Sequence, residues 1–133
     1  MRRAIGVCVI ALAFAVVGPA TAQAKKSPST VAIDTNACTA SANNICTQYT
    51  FFGEVGSSRF KCKRNRSVKL FHTTAPGVAD FLGGDRTSRH GFWGVRVAPE
   101  ELGGGRFYAR ATRRVLRNGD VCKGATSEFF IIH

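Results

Sequence analysis

The chain has 133 residues, with 19 Lys or Arg against 8 Asp or Glu, for a formal net charge of +11. That length is one domain's worth and enough for a core of its own. The charge makes attraction to anionic partners an expectation, and it carries no information about fold.

Met1-Arg2-Arg3 puts two positive charges ahead of an uncharged run, "AIGVCVIALAFAVV", Ala4 to Val17. Gly18-Pro19 then stops any helix, and small residues follow. This order is that of a secretory signal peptide over residues 1–24. The apolar run has 14 residues, short of the roughly 20 that a membrane-spanning helix needs. Cleavage therefore leaves no transmembrane anchor, and the expected localisation is secreted and extracellular. Ala20-Thr21-Ala22 and Ala22-Gln23-Ala24 both fit the cleavage pattern. Cleavage after Ala24 is preferred over cleavage after Ala22, because it leaves Lys25-Lys26 at the mature start. Subtracting residues 1–24 from 133 leaves 109, with 17 basic and 8 acidic side chains, or +9.

Four cysteines remain: Cys38, Cys46, Cys62 and Cys122. An even number in an exported chain predicts two disulfides. Three pairings exist; the favoured one joins Cys38 to Cys46 and Cys62 to Cys122, a short local loop and a long tie across the domain. No C-x-x-C is present, and His72, His90 and His133 are scattered, so no metal site and no cofactor are expected.

Residues 25–48 predict a lead-in with the small cysteine loop, and a short strand near Val31–Ile33. From Tyr49 a two-residue alternation begins. It sets Phe51 and Val55 against Phe52 and Glu54, and Phe60 and Cys62 against Arg59, Lys61 and Lys63. Val68 and Leu70 oppose Lys69; Trp93, Val95 and Val97 oppose Arg96. Phe107, Ala109 and Ala111 oppose Arg106, Tyr108 and Arg110, and Phe129 and Ile131 oppose Phe130 and Ile132. "TAPG", "LGGD", "SRHG", "APEELGGG" and "RNGD" read as turns. The fold class is all-β, a Greek-key (Ig-like or prealbumin-like) sandwich of about seven strands over residues 49–133. Trp93 is expected in its core.

The succession Gly53–Val55, Cys62, Arg66–Leu70, Thr87–Trp93, Gly105–Ala109 and Cys122 resembles small secreted bacterial domains of the carboxypeptidase regulatory-like, or transthyretin-like, group. The resemblance covers roughly residues 49–133. Ser88 stands where the hairpin of that group usually has Asp, and Phe107-Tyr108 offers two rings for one aromatic place. The resemblance implies a β-sandwich, an extracellular setting and a non-catalytic accessory or surface module.

The chemistry legible in the residues agrees. No G-x-S-x-G frame joins a nucleophile to a base, Glu100-Glu101 are adjacent, and Gly103–Gly105 lacks the setting of a phosphate loop. His72 and His90 could meet across strands as in a small hydrolase, but His90 sits in the turn "SRHG", where a solvated tip is the default, so no enzyme is expected. The remaining lead is basic. Arg59, Lys61, Lys63, Arg64 and Lys69 form one group; Arg106, Arg110, Arg113, Arg114 and Arg117 form another. Side by side they would make one cationic face able to hold nucleic acid or an anionic cell-envelope polymer, with Phe52 and Tyr108 available to stack. The expected function is a secreted, non-catalytic binding or accessory module; the alternative is a polyanion-binding effector.

Overall fold

The computed structural model describes residues 23–132. Residues 1–22, which carry most of the expected signal peptide, and His133 lie outside that range. Twelve strands follow in chain order. They are β1 (Lys26–Ser27), β2 (Thr30–Val31), β3 (Asp34–Ala42), β4 (Ile45–Gly56), β5 (Ser67–Ala75) and β6 (Val78–Arg86). Then come β7 (Phe92–Val97), β8 (Gly105–Ala111), β9 (Arg114–Val115), β10 (Val121–Cys122), β11 (Ala125–Thr126) and β12 (Phe130–Ile132).

The protein is an all-β sandwich. In the first sheet, β4 pairs with β7 on one edge and with β2 and β3 on the other. β2 and β3 keep one register against β4, Val31 facing Val55 and Asp34 facing Phe52, so they act as one interrupted strand. In the second sheet the order is β6, β5, β8, with β11 and β12 sharing the far edge of β8. A small third sheet sets β1 parallel to β10, which pairs with β9.

The two large sheets close on side chains that alternation aims inward. Phe51, Val55, Val68, Leu70, Trp93, Val95, Val97, Phe107, Ala109 and Ala111 make the core with Val31. Phe51 of β4 and Phe107 of β8 stack across the middle, with ring centroids 4.8 Å apart. Fully burying either ring stabilises by about 1.5–3 kcal/mol. Cys38 is bonded to Cys46 across the β3–β4 hairpin, and Cys62 to Cys122.

Three local expectations are corrected. The strand expected near Val31–Ile33 is present as Thr30–Val31 and the cysteine loop as the Cys38–Cys46 bridge, but Asp34–Ala42 is a sheet strand rather than irregular chain, because Asn43 and Asn44 both take positive φ (51° and 63°) and close a tight hairpin into β4. Asparagine tolerates that conformation, although it signals it less plainly than Asn-Gly. Arg59–Lys63 is not a strand. Phe60–Cys62 is a 3-10 turn that buries Cys62 and leaves Phe60 exposed. "LGGD" is not a turn but part of β6. A Cβ on Gly83 would come within 2.8 Å of Val95 Cγ1, so the glycine there serves close packing rather than a bend.

The Thr87–Trp93 segment, expected as a hairpin, instead carries the chain from β6 of the second sheet to β7 of the first, and Ser88 still holds its turn. Ser88 Oγ accepts from the Phe92 N–H at 3.1 Å, as an aspartate would. Of the two rings at 107–108, Phe107 is buried and Tyr108 faces out.

Candidate binding face

On the outer side of the second sheet, four rings from separate segments line up at one level. Phe81 of β6 meets Phe71 of β5 edge-on, with centroids 5.9 Å apart. Phe71 stacks on Tyr108 of β8 at 5.2 Å. Tyr108 meets Phe129, just before β12, edge-on at 5.8 Å. Cross-strand pairing explains the row: Phe71 lies opposite Phe81 on one neighbour and opposite Tyr108 on the other. The two outer rings stay open, with Phe81 60% and Phe129 54% exposed.

Cations flank the row along the strands. Lys69 and Arg110 are direct cross-strand partners on one side. Arg106 lies on the other side. The Arg106 guanidinium sits 5.3 Å from the Phe129 ring centre, and that of Arg110 sits 6.0 Å from Phe71. Such placement attracts a cation to a ring face. Like charges directly opposite each other cost stability, so Lys69 and Arg110 together favour an anion between them. Two shallow depressions of about 380 and 370 Å³ open beside Phe129, one reaching Arg106 and the other Tyr108 and Arg110.

The basic residues expected to share one face divide. Arg106 and Arg110 belong to the aromatic face. Arg64 and Arg114 meet at the other end of the sheet, where Arg114 Nη1 donates to Arg64 O at 2.7 Å. With Lys61 and Arg117 they line a depression of about 390 Å³. Arg113 is exposed beyond the end of β8. Lys63 is half-buried, and its carbonyl accepts from Thr87 Oγ1. Arg59 is engaged in an ion pair with Asp120.

Arg66, inside the same basic stretch, is fully buried. Its five N–H groups are all used. Nε and Nη2 donate to Thr112 O at 3.2 and 2.8 Å, and Nη2 to Lys123 O at 2.9 Å. Nη1 donates to Cys62 O at 2.8 Å and to Ser29 Oγ at 3.0 Å. Burial, and secondarily the charge of Arg114, lowers its pKa. This guanidinium clasps four segments around the Cys62–Cys122 disulfide and is closed to ligands.

His72 and His90 do not come together. His72 is buried, stacks on Phe107 with centroids 4.5 Å apart, and has Nε2 3.2 Å from Gly104 O. His90 is at the exposed tip of the Ser88–Gly91 turn, near the opposite end of β5. Phe52 and Tyr108 lie on opposite outer faces of the sandwich, by the alternation that turns Phe51 and Phe107 inward. Among the described residues no group of three or more His, Cys, Asp or Glu could hold a metal ion, and no helix is long and apolar enough to cross a membrane. No family model, no curated protein and no solved structure matches the chain.

Proposed function

We propose that the chain is a secreted, non-catalytic binding module whose aromatic–cationic sheet face holds an anionic polymer. The row of Phe81, Phe71, Tyr108 and Phe129 between Lys69–Arg110 and Arg106 carries this reading. Rings supply flat surfaces for bases or sugar faces, and the cations supply attraction that strengthens as salt falls. The same cations oppose self-association, since two copies meeting on this face would set arginine against arginine. The signal-peptide pattern and two disulfides support an extracellular setting, and the resemblance to carboxypeptidase regulatory-like domains supports an accessory role without catalysis.

The test is titration of the protein with labelled oligothymidine and with labelled heparin fragments across a range of salt. Stacking is worth about 1–3 kcal/mol per base, so Tyr108→Ala lowers affinity for the oligonucleotide roughly 5- to 150-fold. Arg106→Glu with Arg110→Glu flattens the single-strand salt slope by at least about 1.4. Oligothymidine above heparin identifies nucleic acid as the partner; the reverse order identifies an anionic polysaccharide. Unchanged affinity and slope in both variants would sink the reading and leave these charges as solubility groups.

A further inference from the structure

We propose that cleavage of the Ala24–Lys25 peptide bond creates an α-ammonium that Asp120 holds, fixing the new chain end into the sandwich. The proposal is independent of the binding face. It rests on the signal-peptide pattern and on what surrounds the Lys25 nitrogen.

The Lys25 main chain is tied into the sandwich through both its N–H and its carbonyl. Its N–H donates to Asp120 Oδ1 at 2.9 Å. Its carbonyl accepts from Val121 N–H at 2.8 Å, and Ser27 O accepts from Lys123 N–H at 2.9 Å. These bonds dock β1 parallel to β10, Lys26 beside Val121 and Ser27 beside Cys122. Upstream, Gln23 and Ala24 are exposed and outside any strand. A cut after Ala24 therefore leaves each of these bonds in place. A cut after Ala22 would leave a two-residue overhang and an uncharged amide at the same place.

Asp120 is built to receive a cation there. It is 9% exposed, and its other oxygen, Oδ2, pairs with Arg59 and accepts from Asn118 Nδ2 at 2.9 Å. The Asn118 side chain also takes the Asp120 N–H at 3.0 Å, so the carboxylate is held in position from its own turn. Oδ1 faces the Lys25 nitrogen. Gln23, Ala24 and Lys25 line, with Ser58, Arg59, Asn118 and Asp120, an open groove of about 870 Å³, so the Lys25 nitrogen and Asp120 border solvent-accessible space.

The step balances with water alone. A signal peptidase breaks the C–N bond, water oxygen goes to the Ala24 carbonyl carbon, and Ala24 departs as a carboxylate. The Lys25 nitrogen takes the protons and becomes –NH3+. One hydrogen bond from a neutral amide becomes a charge-assisted one, and Asp120 then bridges two cations.

The test uses the full chain exported from a bacterial secretion host. Intact mass identifies the first residue. The protein is then labelled briefly with an amine-acylating reagent near neutral pH, and the N-terminal peptide is quantified. The expected product starts at Lys25, and its α-amine labels more slowly than in the urea-unfolded protein, by about tenfold per pKa unit the pairing adds. Asp120→Asn restores fast labelling; if that variant does not fold, the urea reference carries the comparison alone. A product starting at Gln23, or a Lys25 α-amine that labels as fast folded as unfolded, overturns the proposal.

Discussion

Replacing Arg66 with leucine isolates the contribution of a buried guanidinium that has no carboxylate partner. Five N–H donors fall silent at once, and three main-chain carbonyls, of Cys62, Thr112 and Lys123, lose them. A buried carbonyl left without a donor costs about 1–3 kcal/mol. Water reaches some of these part-buried groups, so the low end applies to each, and lost packing of the side chain adds to it. The sum is about 3–5 kcal/mol, a large share of the ~5–15 kcal/mol that keeps a domain folded. For a domain of this size that lowers the melting midpoint by about 12–20 °C. Trp93 is the only tryptophan and is buried, so its emission follows unfolding in urea directly. Arg66→Lys is expected to lose about half as much, because an ammonium has three donors on a point and cannot span acceptors on four segments. An Arg66→Leu protein within about 1 kcal/mol of the parent, with unchanged m-value, would refute the clasp.

Gly53→Ala is the sharpest backbone test. A Cβ there would lie 1.8 Å from Ala32 O, where β2 gives way to β3. Urea unfolding is expected to show a loss above about 3 kcal/mol or no folded protein at all; a neutral effect would mean that the strands sit farther apart. Removing Cys62–Cys122, a separation of 60 residues, is expected to cost about 4 kcal/mol, and removing Cys38–Cys46, a separation of 8, about 2.5. Equal losses in non-reducing urea titrations would contradict that order. Acid stability tests Asp120, whose pKa is lowered first by the Lys25 N–H, then by Arg59, with Asn118 adding to it. A depressed folded pKa gives stability that is present above the unfolded carboxylate pKa and lost as pH falls through the folded one. The melting midpoint should therefore drop more steeply below about pH 4 in the parent than in Asp120→Asn; parallel curves would remove Asp120 from the acid limb.

The chain by itself determined the inward faces. Val68 and Leu70, Trp93 to Val97 and Phe107 to Ala111 alternate with polar residues, and a half-buried strand admits no other reading of that period. Two disulfides followed from even cysteine number in an export-like chain. Local signals failed where one residue type serves two purposes. Gly83-Gly84 read as a turn, yet Gly83 is there because Val95 presses against it. Phe60 and Cys62 fitted strand alternation, yet the tie to Cys122 and the carbonyl of Cys62 on Arg66 suit a 3-10 turn.

Only tertiary structure decided which basic residues face outward. Arg66 and Arg64 are two apart in a uniformly cationic run, but one is buried against carbonyls and the other is exposed at the rim of a depression. The aromatic row was invisible along the chain for the same reason. Its rings stand at positions 71, 81, 108 and 129, and the pairing of β5, β6, β8 and the chain entering β12 brings consecutive rings of the row within 5.2–5.9 Å. Alternation is a property of neighbours in sequence, whereas a binding face is a property of neighbours across strands, and that register is set by the packing of the whole sandwich.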